Sequence, residues 1–199
     1  FFFIIKGSNY FLFFLFFCFL LSCYEWNKMI KNKIFLLLGY TFLFISFLSA
    51  FYIRENLNDF GLFIFLFLII ISISTDIGGY TFGKFFKGPK LTKISPNKTY
   101  AGVIGGFLVS ILIGVLFINY FINVYYENNL FNINLLFLII FLSFVSQIGD
   151  LIISYFKRVS KIDNTGKLIP GHGGILDRID GMIFVIPTFY FLNIIYKII

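Results

Sequence analysis

Acids are scarce in this chain, yet three of its nine, Asp150, Asp177 and Asp180, gather with Lys157, Arg158 and Arg178. On a helix, Asp150, Ser154 and Lys157 fall at i, i+4 and i+7, so they share one face, with Arg158 beside them. Asp177 and Asp180 stand at i and i+3 on a helix expected to open just after Gly171, Gly173 and Gly174. Carboxylates so spaced can hold hard divalent cations, whose ligands are oxygens. Glycines feeding a helix start let backbone N–H groups approach an anion closely. The preference of acids for helix N-termini explains one aspartate, but not two together with Arg178 and His172, the only histidine. His172 has two readings, close packing among its glycine neighbours or contact with a substrate phosphate or metal. A second polar stretch, 76–102, carries Gly78, Gly79, Gly83, Gly88, five lysines and the run Ser95 to Thr99. It suits a polyphosphate, although it contains no GxxxxGK[ST] loop. Acids for a metal, cations for phosphates and glycines for close approach together make the kit for phosphoryl or nucleotidyl transfer.

The elements that must position these groups are apolar. Of 199 residues, 59% are hydrophobic and 23% aromatic, with 32 phenylalanines, and only 13% are charged. A soluble domain cannot hide so much apolar surface, so the chain reads as an all-α, polytopic integral membrane protein. A bilayer core needs roughly 20 apolar helical residues. Six segments meet or approach that, 1–23, 34–53, 60–75, 103–121, 130–149 and 182–199, giving about six transmembrane helices. The third is short and could run on as helix through Asp76 to Tyr80. An aspartate such as Asp150 at a membrane boundary is costly, roughly 2.5–3.5 kcal/mol at a helix centre and less near the interface, and is kept for a partner or a metal. An Asp150–Lys157 or Asp150–Arg158 ion pair is the plainer alternative.

Charge sets the expected topology. The connections 24–33, 76–102 and 150–181 hold three, five and five basic residues, whereas 54–59 and 122–129 together hold only Arg54. This alternation places the two long polar loops, after the third and fifth spans, on the cytoplasmic side. The net charge of +7 sits mostly there. Residue 1 is Phe and segment 1–23 has no basic lead-in or small-residue cleavage site, so it reads as a retained span of an N-terminally truncated chain. We expect an N-terminal transmembrane region at 1–75 and a catalytic transmembrane region at 76–199. Cys18 and Cys23 lack His or Cys neighbours that would complete a metal site.

The stretch 149–180, GDLIISYFKRVSKIDNTGKLIPGHGGILDRID, closely resembles the signature of the phosphatidate cytidylyltransferase (CDP-diacylglycerol synthase) family. That pattern runs S-x-x-K-R, then K-D-x-G, then P-x-H-G-G-x-x-D-R-x-D. Ser154, Lys157, Arg158, Gly166, Pro170, His172, Gly173, Gly174, Asp177, Arg178 and Asp180 match it at the right spacing. SPNKTYAG, 95–102, resembles the family's S-P-K-K-T-x-E-G, and Asp76, Tyr80, Gly83 and Lys84 echo a further motif. Three family acids are replaced or shifted: the Lys-Asp pair falls on Asp163-Asn164, the acid before the signature serine is Ile153, and that of the second motif is Ala101.

The resemblance implies CTP plus phosphatidic acid giving CDP-diacylglycerol and pyrophosphate, with Mg²⁺ and room for a second cation such as K⁺. It implies catalytic roles for Asp150, Lys157, Asp177 and Asp180, with Asp150, Asp177 and Asp180 as metal ligands. Substrate contacts would come from Ser95, Lys98, Ser154, Arg158, His172, Gly173, Gly174 and Arg178. The expected setting is the cell (inner) membrane with the site facing the cytoplasm. The expected partners are CTP, phosphatidate and the bilayer, with no nucleic acid, and with a homodimer left open. Within the same chemistry, a CTP-dependent polyprenol or phytol kinase is the alternative. An inactive lipid-binding relative is a third reading. A transporter fits less well, because transporter sites lie near the bilayer midplane, whereas nearly every charge here lies in a loop.

Overall fold

The structure is a computed structural model that describes residues 2–56, 60–92, 95, 98–125, 133–166 and 173–196. Eight helices follow in order: α1 (Phe2–Lys6), α2 (Ser8–Met29), α3 (Lys33–Asn56), α4 (Gly61–Phe86), α5 (Tyr100–Tyr125), α6 (Ile133–Val159), α7 (Leu176–Ile179) and α8 (Met182–Tyr196). No strand occurs among the described residues, and one isolated bridge joins Lys90 to Thr99. The architecture is therefore the all-α, polytopic one.

Five helices, α2 to α6, are long and apolar enough to cross a membrane, and α8 is a shorter apolar helix. Helical structure runs past the ends of the apolar segments. Residues 24–29 extend α2, 76–86 extend α4 and 150–159 extend α6. A helix already satisfies its own backbone, so it need not stop where the hydrocarbon ends. The consequence matters for function: Glu25, Asp76 and Asp150 sit on rigid helix rather than in loops. The expected division after residue 75 falls inside α4.

α4 is the central element, packing on α3, α5, α6 and α8. Its closest partner is α5, and glycine is the reason. A Cβ on Gly78 would run into the Gly105 carbonyl, and one on Gly102 would meet Gly79 O at 2.7 Å. Small residues that let two backbones approach are the usual adhesive between helices in lipid, where the hydrophobic effect offers none. Leu68, Ile71, Ile139, Leu142, Val185 and Phe189 fill the middle of the bundle at 0–1% exposure. The outer faces carry Phe13, Leu37, Leu112 and Phe137, each more than 60% exposed, as a lipid-facing surface requires.

Among the described residues, most polar side chains buried in the bundle are paired, the Ser49 and Ser146 hydroxyls excepted. Pro187 lies within α8 and has no N–H, so the Ile183 carbonyl loses its helical donor; Ser46 Oγ of α3 donates to it at 2.7 Å. At the opposite end from the site, Arg54 donates to the Ile4 and Ile5 carbonyls at 2.8 and 3.0 Å, and Glu55 accepts the Ser8 N–H at 2.8 Å. Arg54 thus satisfies the end of α1 while Glu55 caps α2.

Candidate active site

Three contacts bring the chemistry-bearing elements to one end of the bundle. Lys98, just before α5, pairs with Asp150 of α6. Lys157 Nζ, two turns further along α6, pairs with Asp177 Oδ1 of α7 at 2.9 Å. Ser160 Oγ donates to the Met29 carbonyl at the end of α2 at 2.7 Å. Asp150 therefore meets a lysine from the middle loop, not Lys157 or Arg158 from its own helix. Ser154 Oγ donates to its other oxygen, Oδ1, at 3.3 Å.

Asp177 is engaged on both oxygens. Oδ2 accepts the Thr165 N–H at 2.8 Å, the Thr165 hydroxyl at 3.1 Å and the Gly174 N–H at 3.1 Å. Oδ1 faces the Lys157 ammonium. Burial pushes this carboxyl up, but Lys157 and the Gly174 and Thr165 N–H groups outweigh it and hold the group below the usual carboxylate range. Gly174, expected to offer its N–H to a substrate anion, gives it to Asp177 instead. Gly173 adopts φ +85°, a left-handed conformation suited to glycine, and a Cβ there would press on Asp177 Oδ2 at 2.8 Å.

Asp180 is 8% exposed and its Oδ1 accepts the Gly181 N–H at 2.9 Å. Its carboxyl is pushed up to about 8, first by burial and then by the charges of Asp150 and Asp76, against a smaller opposing effect of Lys157. Asp76 of α4 is thus a third carboxylate crowding the same place. A cavity of about 290 Å³ opens beside it, lined by Asp76, Tyr80, Ser95, Lys98, Gln147 and Asp150 among others. Ser95 and Lys98 line the site as expected from the middle loop, and Lys98 N–H donates to Ser95 O at 3.1 Å.

Other expected contacts lie further out. Arg158 Nη1 pairs with Asp163 Oδ1 at 2.6 Å on the surface, the two side chains 50% and 87% exposed. Such an exposed pair holds Arg158 only weakly, at about 0–1 kcal/mol. Arg178 is exposed on α7. Gly171 and His172 lie outside the described residues.

Glu25, Thr165 and Gln147 belong to no motif or spacing that marks them as site residues, and Asp76 joins the site only in the fold. Glu25 sits on α2, 1% exposed, and accepts the Thr165 hydroxyl and the Ile175 and Leu176 N–H groups at 2.8–2.9 Å. A signal existed: Glu25 is the only acid in the first 54 residues.

Asp76, Asp150, Asp177 and Asp180 are oxygen donors that suit a hard divalent ion, and the crowding around Asp180 is a strain that a cation would relieve. Among the described residues, no three acidic, His or Cys groups close a coordination shell by themselves. Mg²⁺ commonly uses one or two carboxylates and completes its shell with waters and substrate phosphates. The residues fit an ion of that kind.

A profile of the cytidylyltransferase family matches residues 1–196. The chain is 38% identical over 179 residues to the phosphatidate cytidylyltransferase of Rickettsia bellii, covering 86% of this chain and 75% of that protein. It is 41% identical over 179 residues to that of Rickettsia prowazekii, covering 85% and 75%. Against the Bacillus subtilis enzyme of the same name it is 38% identical over 139 residues, 69% of this chain and 50% of that one. The paired lysines and aspartates thus lie in a bundle matched along nearly its whole length, and the chain belongs to the cytidylyltransferase family.

Proposed function

We propose that the chain transfers the cytidylyl group of CTP to phosphatidate, giving CDP-diacylglycerol and pyrophosphate, at the cytoplasmic face of the cell (inner) membrane. The observation that carries this reading is the placing of Lys98–Asp150 and Lys157–Asp177 at one end of a bundle with an apolar exterior. A lipid headgroup and a water-borne nucleotide can meet there. The basic connections 24–33, 76–102 and 150–181 support the cytoplasmic orientation. The chain spans about three quarters of its rickettsial relatives and half of the Bacillus one.

In the reaction, a phosphate oxygen of phosphatidate attacks the α-phosphorus of CTP in line. The bond from that phosphorus to the bridging oxygen of the leaving group breaks, and its electron pair departs with pyrophosphate. A phosphate monoester has a second pKa of about 6, so the attacking oxygen is ionised near neutral pH and no strong base is required. The task left to the protein is to orient two anions and hold their charge. Lys98 and Lys157, each paired with an aspartate, are the ammonium groups within the site, while Arg158 and Arg178 stand exposed at its edge. Ser95 and Ser154 add hydroxyls. Asp150 and Asp180 would hold Mg²⁺, with water and substrate phosphates completing its shell, while Asp177 has Oδ1 on Lys157 and Oδ2 taken by its own loop. When bound, that ion supplies charge neutralisation between the reactants.

Turnover of labelled CTP with phosphatidate in purified membranes, with and without Mg²⁺, tests the reading. The expected products are CDP-lipid and pyrophosphate, formed only with Mg²⁺. A lipid monophosphate with release of CDP would make the chain a kinase instead. CTP binding without turnover would leave it an inactive relative.

A further inference from the structure

The signature loop is not self-supporting. Its two flanks, Thr165 and the Ile175–Leu176 turn, are both tied to one buried carboxylate on a different helix. Glu25 Oε1 accepts the Ile175 N–H at 2.9 Å, and Oε2 accepts the Leu176 N–H and the Thr165 hydroxyl, each at 2.8 Å. Those two N–H groups open α7, whose own N-cap residue, Ile175, makes no side-chain cap bond. Glu25 therefore caps α7 from outside, as an anion at a helix start should.

The two loop glycines nearest this carboxylate belong to the same arrangement. A Cβ on Gly166 would meet Glu25 Oε1 at 2.7 Å, and a Cβ on Gly174 would collide with Glu25 Oε2 and Thr165 Oγ1. Both positions match the resemblance motif, yet what they accommodate is a protein carboxylate. From here the chain of contacts leads to the site: Thr165 bonds Glu25 on one side and Asp177 on the other, and Asp177 meets Lys157.

We propose that Glu25, on the N-terminal span α2, is the positioning residue of the catalytic loop. It closes the loop at its base and aims Asp177 at Lys157. Without it, the Ile175 and Leu176 N–H groups lose their acceptor, the Thr165 hydroxyl keeps only Asp177, and α7 loses its cap, while no group that touches substrate has been removed. The fault then shows in the geometry of the chemical step more than in nucleotide capture. The kinetic part rests on the cytidylyl-transfer reading above.

The test compares the full chain with Glu25→Gln, Gly174→Ala and the milder Thr165→Val, purified in detergent. For Glu25→Gln, kcat should fall roughly 10–100-fold, the usual effect of losing a residue that orients a site, while KM for CTP shifts less than about threefold. Gly174→Ala should show the same split, and Thr165→Val a smaller loss in the same direction. Amide exchange over 173–179 should speed up in Glu25→Gln, with α4 and α5 unchanged. Wild-type kcat in Glu25→Gln, or a loss of activity with exchange over 173–179 unaltered, overturns the proposal. The exchange result does not depend on the substrate. An inactive wild type whose 173–179 protection depends on Glu25 would therefore overturn the cytidylyl reading and still support the clamp.

Discussion

Asp180 and Asp177 sit three residues apart with opposite electrostatics, and the difference is testable. The Asp180 carboxyl, pushed up to about 8, keeps a proton in the folded protein that the unfolded chain releases near its ordinary 3.8. Between those values the folded state binds more protons, so stability falls as pH rises, and the contribution is greatest below the lower value. A cation competes with that proton. We expect Mg²⁺ to raise the thermal midpoint more at about pH 9 than at about pH 6, with Asp180→Asn losing both the pH dependence and the gain. Equal gains at both pH values would remove Asp180 from the ion's surroundings. Asp177 behaves in the opposite sense: held low by Lys157 and its loop, it stabilises above the ordinary carboxylate range and ceases to as pH falls below it. Asp177→Asn keeps a carbonyl oxygen for the Thr165 and Gly174 donors but sets an amide against Lys157. It should reduce CDP-lipid formation by roughly 100-fold or more, with folded yield retained. Near-normal turnover would take Asp177 out of the chemistry.

At the scale of elements, the polar repairs inside the bundle decide stability. Ser46→Ala leaves the Ile183 carbonyl with neither its helical donor, absent because of Pro187, nor the hydroxyl at 2.7 Å. Hydrogen bonds between membrane helices average about 0.6 kcal/mol and reach about 1.7. The expected cost is about 1 kcal/mol in a denaturant titration, with the reaction unaffected because Ser46 bonds only the Phe42 and Ile183 carbonyls and none of the charged groups of the site. An unchanged midpoint would mean that the carbonyl finds another donor. Arg54 follows a similar logic. Its guanidinium satisfies carbonyls of α1, which gives a local reason for the one basic residue in the poorly charged connections.

For the molecule as a whole, Glu25 makes the N-terminal spans part of the catalytic unit. α2 and α3 pack on one another, α3 packs on α4 and α8, and α2 reaches α7. Breaking the chain between α3 and α4 therefore yields a clear expectation. A fragment of residues 60–199 expressed alone should form no CDP-lipid, and co-expression with residues 1–56 should restore turnover. Activity in the larger fragment alone would contradict the dependence on α2.

The amino-acid sequence alone determined the class and the chemistry. Long uncharged runs leave no option but helices in a bilayer, and acids, lysines and glycines at those spacings already point to phosphoryl-type transfer. The signature 149–180 located Asp150, Lys157, Asp177 and Asp180 without coordinates. What only the tertiary structure decided was the pairing. Helical spacing puts Asp150 and Lys157 on one face, yet each takes its ionic partner from another element, Lys98 and Asp177. A local pattern records which residues share a face, not which helix crosses opposite them. The same limit hid Glu25, whose role depends on contacts 140–151 positions away along the chain. Gly174 reads as part of an anion cradle in sequence, and the fold shows that the anions beside it, Glu25 and Asp177, are the protein's own.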